Sequence, residues 1–195
     1  MIRFEDLLER VRAYSPDADL ELLRRAYVFS AFEHRGQVRR SGEPYLIHPL
    51  AVADFLVDLR LDVVAISAGL LHDVVEDTPR TVEDIRDQFG PAVAALVAAV
   101  TEDATIDKYR ERKQALREQV VRGGPDAIDI ALADKVASLR YALESGKRVP
   151  KRKIAHYVAT LAMTDAAGHP DLGRDVAELL ASLDARDHPP VPLAP

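Results

Sequence analysis

The chain has 195 residues, 48% of them hydrophobic and 30% charged, the balance of an ordinary globular protein. It holds no cysteine, which excludes a disulfide scaffold, a thiolate metal site and a cysteine nucleophile, and fits a reducing cytoplasm. A net charge of −6 argues against general nucleic-acid binding, and the longest uncharged run, VVAISAGLLH, is too short to span a bilayer.

The elements read as helix after helix. MIRFEDLLERVRAY mixes charge with apolar residues at helical spacing, so it is no signal peptide, and FEDLLERVRAY within it is a short first helix before Ser15-Pro16. Asp17 or Asp19 can cap LELLRRAYVFSAFEHRG, which fades at Gly36. QVRRSGEPYLIHP is a loop, and Pro49 suits the first turn of HPLAVADFLVDLRL. Asp62 can cap VVAISAGLLHDVVED, read as one helix ending at Thr78-Pro79. TVED at Thr81 resembles a capping box, with Gly90 closing its short helix and Pro91 starting the next. A charged helix follows from about Ile106 to Arg122, then Pro125 opens DAIDIALADKVASLRYALES and Pro150 opens another. The last helix spans about Asp171 to Leu183. No stretch alternates with β-branched enrichment. The expectation is an all-α bundle of about nine or ten helices. It forms a single domain over residues 1–186, and a proline-rich, frayed tail covers 187–195.

LLHDVVEDT places His72, Asp73, Glu76 and Asp77 in an apolar run. At about 100° per residue the four share one side of a helix, so His72 and Asp73 can ligate one metal with Glu76 and Asp77 beside it. A His-Asp dipeptide is more often a surface pair. Acidic groups in a last turn, however, oppose the helix dipole. Asp134 lies among Ala127, Ile130, Ala131, Ala137 and Tyr141, on a second apolar face of its helix. A carboxylate buried there must be paired with a cation or hydrogen-bond donor, or coordinate a metal. His48, just before Pro49, completes a set of two imidazoles and two carboxylates that suits Mn(II), Fe(II) or Mg(II).

The order H…HD…D resembles the HD superfamily of metal-dependent phosphohydrolases. More narrowly, HRGQVRRSGEPYLIHPLAVA, AGLLHDVVEDT, FGPAVAALV and LADKVASLR resemble the hydrolase domain of the RelA/SpoT family over roughly residues 1–160. With no room for a synthetase domain, the chain is similar to the stand-alone small alarmone hydrolases. The resemblance implies one Mn(II) held by His48, His72, Asp73 and Asp134, with Glu76 and Asp77 handling the nucleophilic water and its proton. The implied reaction cleaves the 3′-diphosphate of (p)ppGpp to GDP or GTP and pyrophosphate. Arg39 and Arg40 match the family's phosphate-gripping Arg-Lys pair, and Lys108, Lys153 and Tyr157 match substrate-side positions. Ser138 stands where the family usually has an asparagine facing the nucleotide, which bears on base recognition. His34 matches no ligand and is structural. The partner implied is a small nucleotide, with no nucleic acid or membrane. Two rivals remain: another phosphohydrolase on this scaffold, such as an NADPH 2′-phosphatase, and a non-catalytic alarmone-binding module. Glu76 and Asp77 argue against the second rival, since a binder needs neither.

Overall fold

A computed structural model describes residues 2–39, 41–166 and 168–187. The expected tail therefore lies outside the described residues, apart from Asp187. Ten α-helices of at least eight residues are present, with one four-residue helix, one 3-10 helix and no strand among the described residues. The all-α expectation holds. In order they are α1 (Phe4–Tyr14), α2 (Leu20–Glu33), α3 (Ile47–Asp58), α4 (Val63–Leu71), α5 (Val74–Asp77), α6 (Val82–Phe89), α7 (Pro91–Val100), α8 (Tyr109–Gly123), α9 (Pro125–Glu144), α10 (Lys151–Thr160) and α11 (Asp171–Asp187), with the 3-10 turn Leu161–Ala166 between the last two. No described helix is long and apolar enough to cross a membrane.

Local chemistry sets most boundaries. Asp19 accepts from Glu21 N and Leu22 N at the start of α2, so it is the cap rather than Asp17. Thr81 and Asp84 exchange the reciprocal bonds of a capping box. Gly90 and Gly124, at φ 87° and 88°, turn the chain into Pro91 and Pro125, the first residues of α7 and α9.

One expected helix is two. The chain leaves helical hydrogen bonding at His72 and Asp73 and resumes as the single turn α5. The residues therefore do not follow the continuous 100° progression that the sequence suggested. The charged helix also begins later than Ile106, at Tyr109. Before it, Arg112 reaches back to the carbonyls of Ile106 and Asp107 and holds that segment as a loop.

Two apolar clusters fill the interior. The first joins α1 to α4, α6 and α7, and the second gathers α8, α10 and α11 around α9. Phe55, Leu59, Leu96 and Val100 pack against both. Helix α9 is central, touching α3, α4, α7, α8 and α11, which explains its two apolar faces. Gly69 lets α4 lie close on α3, since a Cβ there would stand 2.4 Å from Leu56 Cδ1. That approach lies one turn before His72 and Asp73.

Asp62 caps α4 by accepting from Ala65 N at 2.9 Å. Asp62→Ala should lower the unfolding free energy by about 0.5–2 kcal/mol in urea denaturation, while Asp62→Asn retains most of it. Equal losses in the two variants would mean that the cap bond contributes nothing.

Candidate functional site

Four elements bring their polar groups to one place. The first turn of α3 carries His48, the break after α4 carries His72 and Asp73, α5 carries Glu76 and Asp77, and α9 carries Asp134. His48 Nε2 lies 3.1 Å from Asp134 Oδ1 and 3.5 Å from Asp73 Oδ2, and His72 Nε2 lies 3.2 Å from Asp73 Oδ1. Ligand atoms of His48, His72 and Asp134 all fall within 4.8 Å of one another.

The donor set fits a divalent cation. His72 Nδ1 lies 2.8 Å from the Gly69 carbonyl, an acceptor only, so Nδ1 carries the proton. Nε2, the nitrogen left for a cation, is buried and without a hydrogen-bond partner. An imidazole oriented by a backbone carbonyl through its other nitrogen is the usual state of a metal-binding histidine. Asp73 is fixed by the Tyr45 hydroxyl, which donates to Oδ2 at 2.6 Å. Burial and the Asp73 charge hold the Tyr45 phenol far above its usual value, so it remains a donor. Asp134 accepts from Lys135 Nζ at 2.5 Å and from Ser138 Oγ at 3.3 Å.

The electrostatics follow from two carboxylates beside two imidazoles. Burial alone would raise Asp73 and Asp134, but His72 and His48 hold Asp73 well below the usual range. Lys135 and His48 do the same for Asp134. Burial opposes a charge on His72, yet Asp73 outweighs it and pushes the imidazole up to about 9. A cation at this nitrogen would compete with that proton.

Glu76 has different surroundings. Its Oε1 accepts from the backbone N–H of Glu102 at 2.7 Å, and burial, reinforced by the Asp73 charge, pushes its carboxyl up to about 7. The Glu102 side chain in turn binds Arg112 at 2.7 Å, and Lys113. Asp77 lines the same space, its carbonyl accepting from Gln37 Nε2 at 3.0 Å.

These groups face a cavity of about 440 Å³. Of the substrate-side residues expected from the sequence, Arg39, Ser138, Lys153 and Tyr157 line it. Arg39 stacks 3.7 Å from the Tyr141 ring centre, and the Tyr141 hydroxyl bonds Ser41 at 2.8 Å, which ties the Arg39 loop to α9. Ser138 lines the cavity with its hydroxyl turned to Asp134. Lys108 is not brought in: it is exposed and paired with Glu111, one turn along α8, at 3.0 Å. Arg40 lies outside the described residues. His34 stays away from the cluster, buried with its Nδ1 2.8 Å from Gln37 Oε1.

Sequence reasoning missed Tyr45, Glu102, Lys113 and Lys135. Two had a signal. Tyr45 sits inside the SGEPYLIHP motif, and Lys135 interrupts an apolar helix beside Asp134. Lys113, inside KYRERK, looked like any member of a solvated basic run.

Comparison with known proteins agrees with this geometry. The HD domain family model matches residues 26–162. A GTP pyrophosphokinase of Myxococcus xanthus is 44% identical over 149 residues, 70% of this chain and 20% of that protein. The bifunctional (p)ppGpp synthase/hydrolase SpoT of Escherichia coli strain K12 is 39% identical over 161 residues, 80% of this chain and 23% of that protein. The chain thus spans about a fifth of the length of these curated relatives. Among solved structures, a metazoan ortholog of SpoT that hydrolyzes ppGpp superimposes with a TM-score of 0.69 at 31% identity, covering 83% of this chain and 94% of the other. By sequence and by fold, the chain belongs to the HD-domain family, within its RelA/SpoT branch.

Proposed function

We propose that this chain hydrolyses the 3′-diphosphate of (p)ppGpp to GDP or GTP and pyrophosphate, using Mn(II) held by His48, His72, Asp73 and Asp134. The observation that carries the reading is the meeting, in one cavity, of an imidazole–carboxylate cluster with a wall of cations. Arg39, Lys113, Lys135 and Lys153 all line the space that the cluster faces. The names of the relatives, and the hydrolysis of ppGpp by the metazoan ortholog, support the choice of substrate.

The chemistry follows from the groups in place. A divalent cation at the cluster supplies Lewis acidity toward water and toward phosphoryl oxygens. The lysines and Arg39 offset the diphosphate charge. Glu76, with its carboxyl near neutrality, is suited to take the proton from the attacking water. The water oxygen bonds to the phosphorus next to the ribose, the bond from that phosphorus to the 3′-oxygen breaks, and a proton ends on the 3′-oxygen. Asp77, on the same turn as Glu76, lies where it can share the handling of that proton. Tyr45 keeps Asp73 oriented throughout.

His72→Ala and Asp73→Asn should each lose both bound metal and hydrolysis, read by plasma emission spectroscopy and by pyrophosphate release. Full Mn(II) occupancy in both variants would remove these residues from the ligand set. Glu76→Gln should instead keep its metal while kcat falls by about 100-fold or more, the scale of a lost acid–base group. A near-normal kcat would refute that role.

Substrate identity is tested by a panel of ppGpp, pppGpp, ppApp and NADPH at equal concentration, each with Mn(II), Mg(II) or chelator. The expected result is pyrophosphate release from ppGpp and pppGpp with Mn(II) only, with looser base discrimination than an asparagine at position 138 would give. Turnover of NADPH alone would establish the 2′-phosphatase rival. Tight ppGpp binding without cleavage under any metal would leave a binding module.

A further inference from the structure

Beside the catalytic cavity lies a second one, of about 360 Å³, to which four cationic side chains contribute. It is lined by Tyr109, Arg110, Lys113 and Arg117 from α8, and by Arg152 and His156 from α10. The spacing accounts for this. Residues 109, 113 and 117 recur every four positions along one face of α8, and 152 and 156 do the same on α10. Ala155 and Ala159 complete the α10 wall and leave room between the helices. Lys113 and His156 line both cavities, so the two spaces adjoin.

The charge in this second cavity is unbalanced. No carboxylate lines it. Lys113 has a partner in Glu102, but among the described residues none of Arg110, Arg117 and Arg152 is paired with a carboxylate. Arg152 is instead held 5.0 Å from the centre of the Tyr109 ring. Guanidinium groups that share one cavity with no carboxylate in its lining repel one another, and a bound anion relieves that repulsion.

His156 supplies a second, independent observation. Arg117 Nη1 lies 3.0 Å from its Nδ1, and a guanidinium can only donate. Nδ1 therefore accepts, and the ring proton sits on Nε2. Burial, together with the charges of Lys135, Lys113 and Arg117, keeps the ring neutral, with its pKa pushed down to about 3. The Nε2–H is buried and has no acceptor. It is an unsatisfied donor on a residue that lines both cavities.

We propose that this cavity is a second phosphate-binding site, in which Arg110, Arg117 and Arg152 grip phosphoryl oxygens away from the His48–Asp134 cluster. Two sources have the right chemistry. One is the 5′-phosphate end of the nucleotide whose 3′-diphosphate occupies the adjoining cavity, an assignment that rests on the proposed function. The other is a separate inorganic anion such as pyrophosphate, which does not depend on that reading.

Pyrophosphate titrated calorimetrically into chelator-treated protein tests the site without any turnover. Wild type should bind more pyrophosphate per chain, or bind it at least ten-fold more tightly, than the Arg110→Ala/Arg152→Ala double variant. Arg110→Lys/Arg152→Lys should recover part of the loss, and matching thermal melts would show that the fold is intact. Superimposable wild-type and double-alanine isotherms would overturn the proposal. KM values for guanosine 3′-diphosphate, ppGpp and pppGpp then separate the two sources. A KM rise in the alanine variant that grows with the number of 5′-phosphates assigns the site to the nucleotide. Altered pyrophosphate binding with no such trend assigns it to a separate anion. If wild type turns over none of the three nucleotides, the proposed function fails while the calorimetric result stands by itself.

Discussion

The site depends on His48 lying between two carboxylates that the fold forces together. Asp73 and Asp134 are 61 positions apart in the chain, and yet both come within 3.5 Å of one imidazole nitrogen. Left to themselves, two carboxylates at such range repel, and burial increases the cost. Lys135 relieves Asp134 and Tyr45 satisfies one oxygen of Asp73, but neither supplies the compact charge that both carboxylates and both imidazole lone pairs can share. In the proposed reading that is the place of the metal. The ordering of α3, α4 and α9 around it is then a consequence of one electrostatic demand as much as of apolar packing.

The break at His72 and Asp73 follows from the same demand. On an unbroken helix, the backbone carbonyl of Gly69 would be committed to the N–H of residue 73, four positions on. Ending α4 at Leu71 leaves that carbonyl to orient His72, and leaves Asp73 to turn toward both histidines. The single turn of α5 then sets Glu76 and Asp77 beyond the ligand cluster. Both residues keep right-handed helical φ and ψ, so the break interrupts the hydrogen bonding without straining the backbone.

How much of this was legible depended on whether the signal was local. Caps and stops were: Asp62, the Thr81–Asp84 box, and the Gly-Pro entries at 90–91 and 124–125 are chemistry between near neighbours, and the structure uses each of them. Asp134 was legible because an acid on an apolar face is conspicuous. The helix break was not, since LLHDVVED carries neither glycine nor proline and its cause is a tertiary one. The basic runs were not either. Lys108 and Lys113 look alike in KYRERK, and only the fold brings Lys113 to Glu102 and the cavity and leaves Lys108 paired with Glu111 in solvent. Family likeness carried the ligand set further than periodicity could, because motifs register long-range proximity that spacing does not.

Glu102 shows how the two halves of the cavity are joined. It lies in the loop between α7 and α8, and three of its groups are engaged at once. Its N–H fixes Glu76 on the acidic side, while its carboxylate draws in Lys113 and Arg112 on the basic side. Any movement of α8 that carried Lys113 toward a bound phosphate would pull on the same residue that positions Glu76. Lys113 also lines the second cavity, together with the arginines of α8 and α10. In the proposed reading, phosphate grip and proton transfer are linked through one backbone amide and one ion pair.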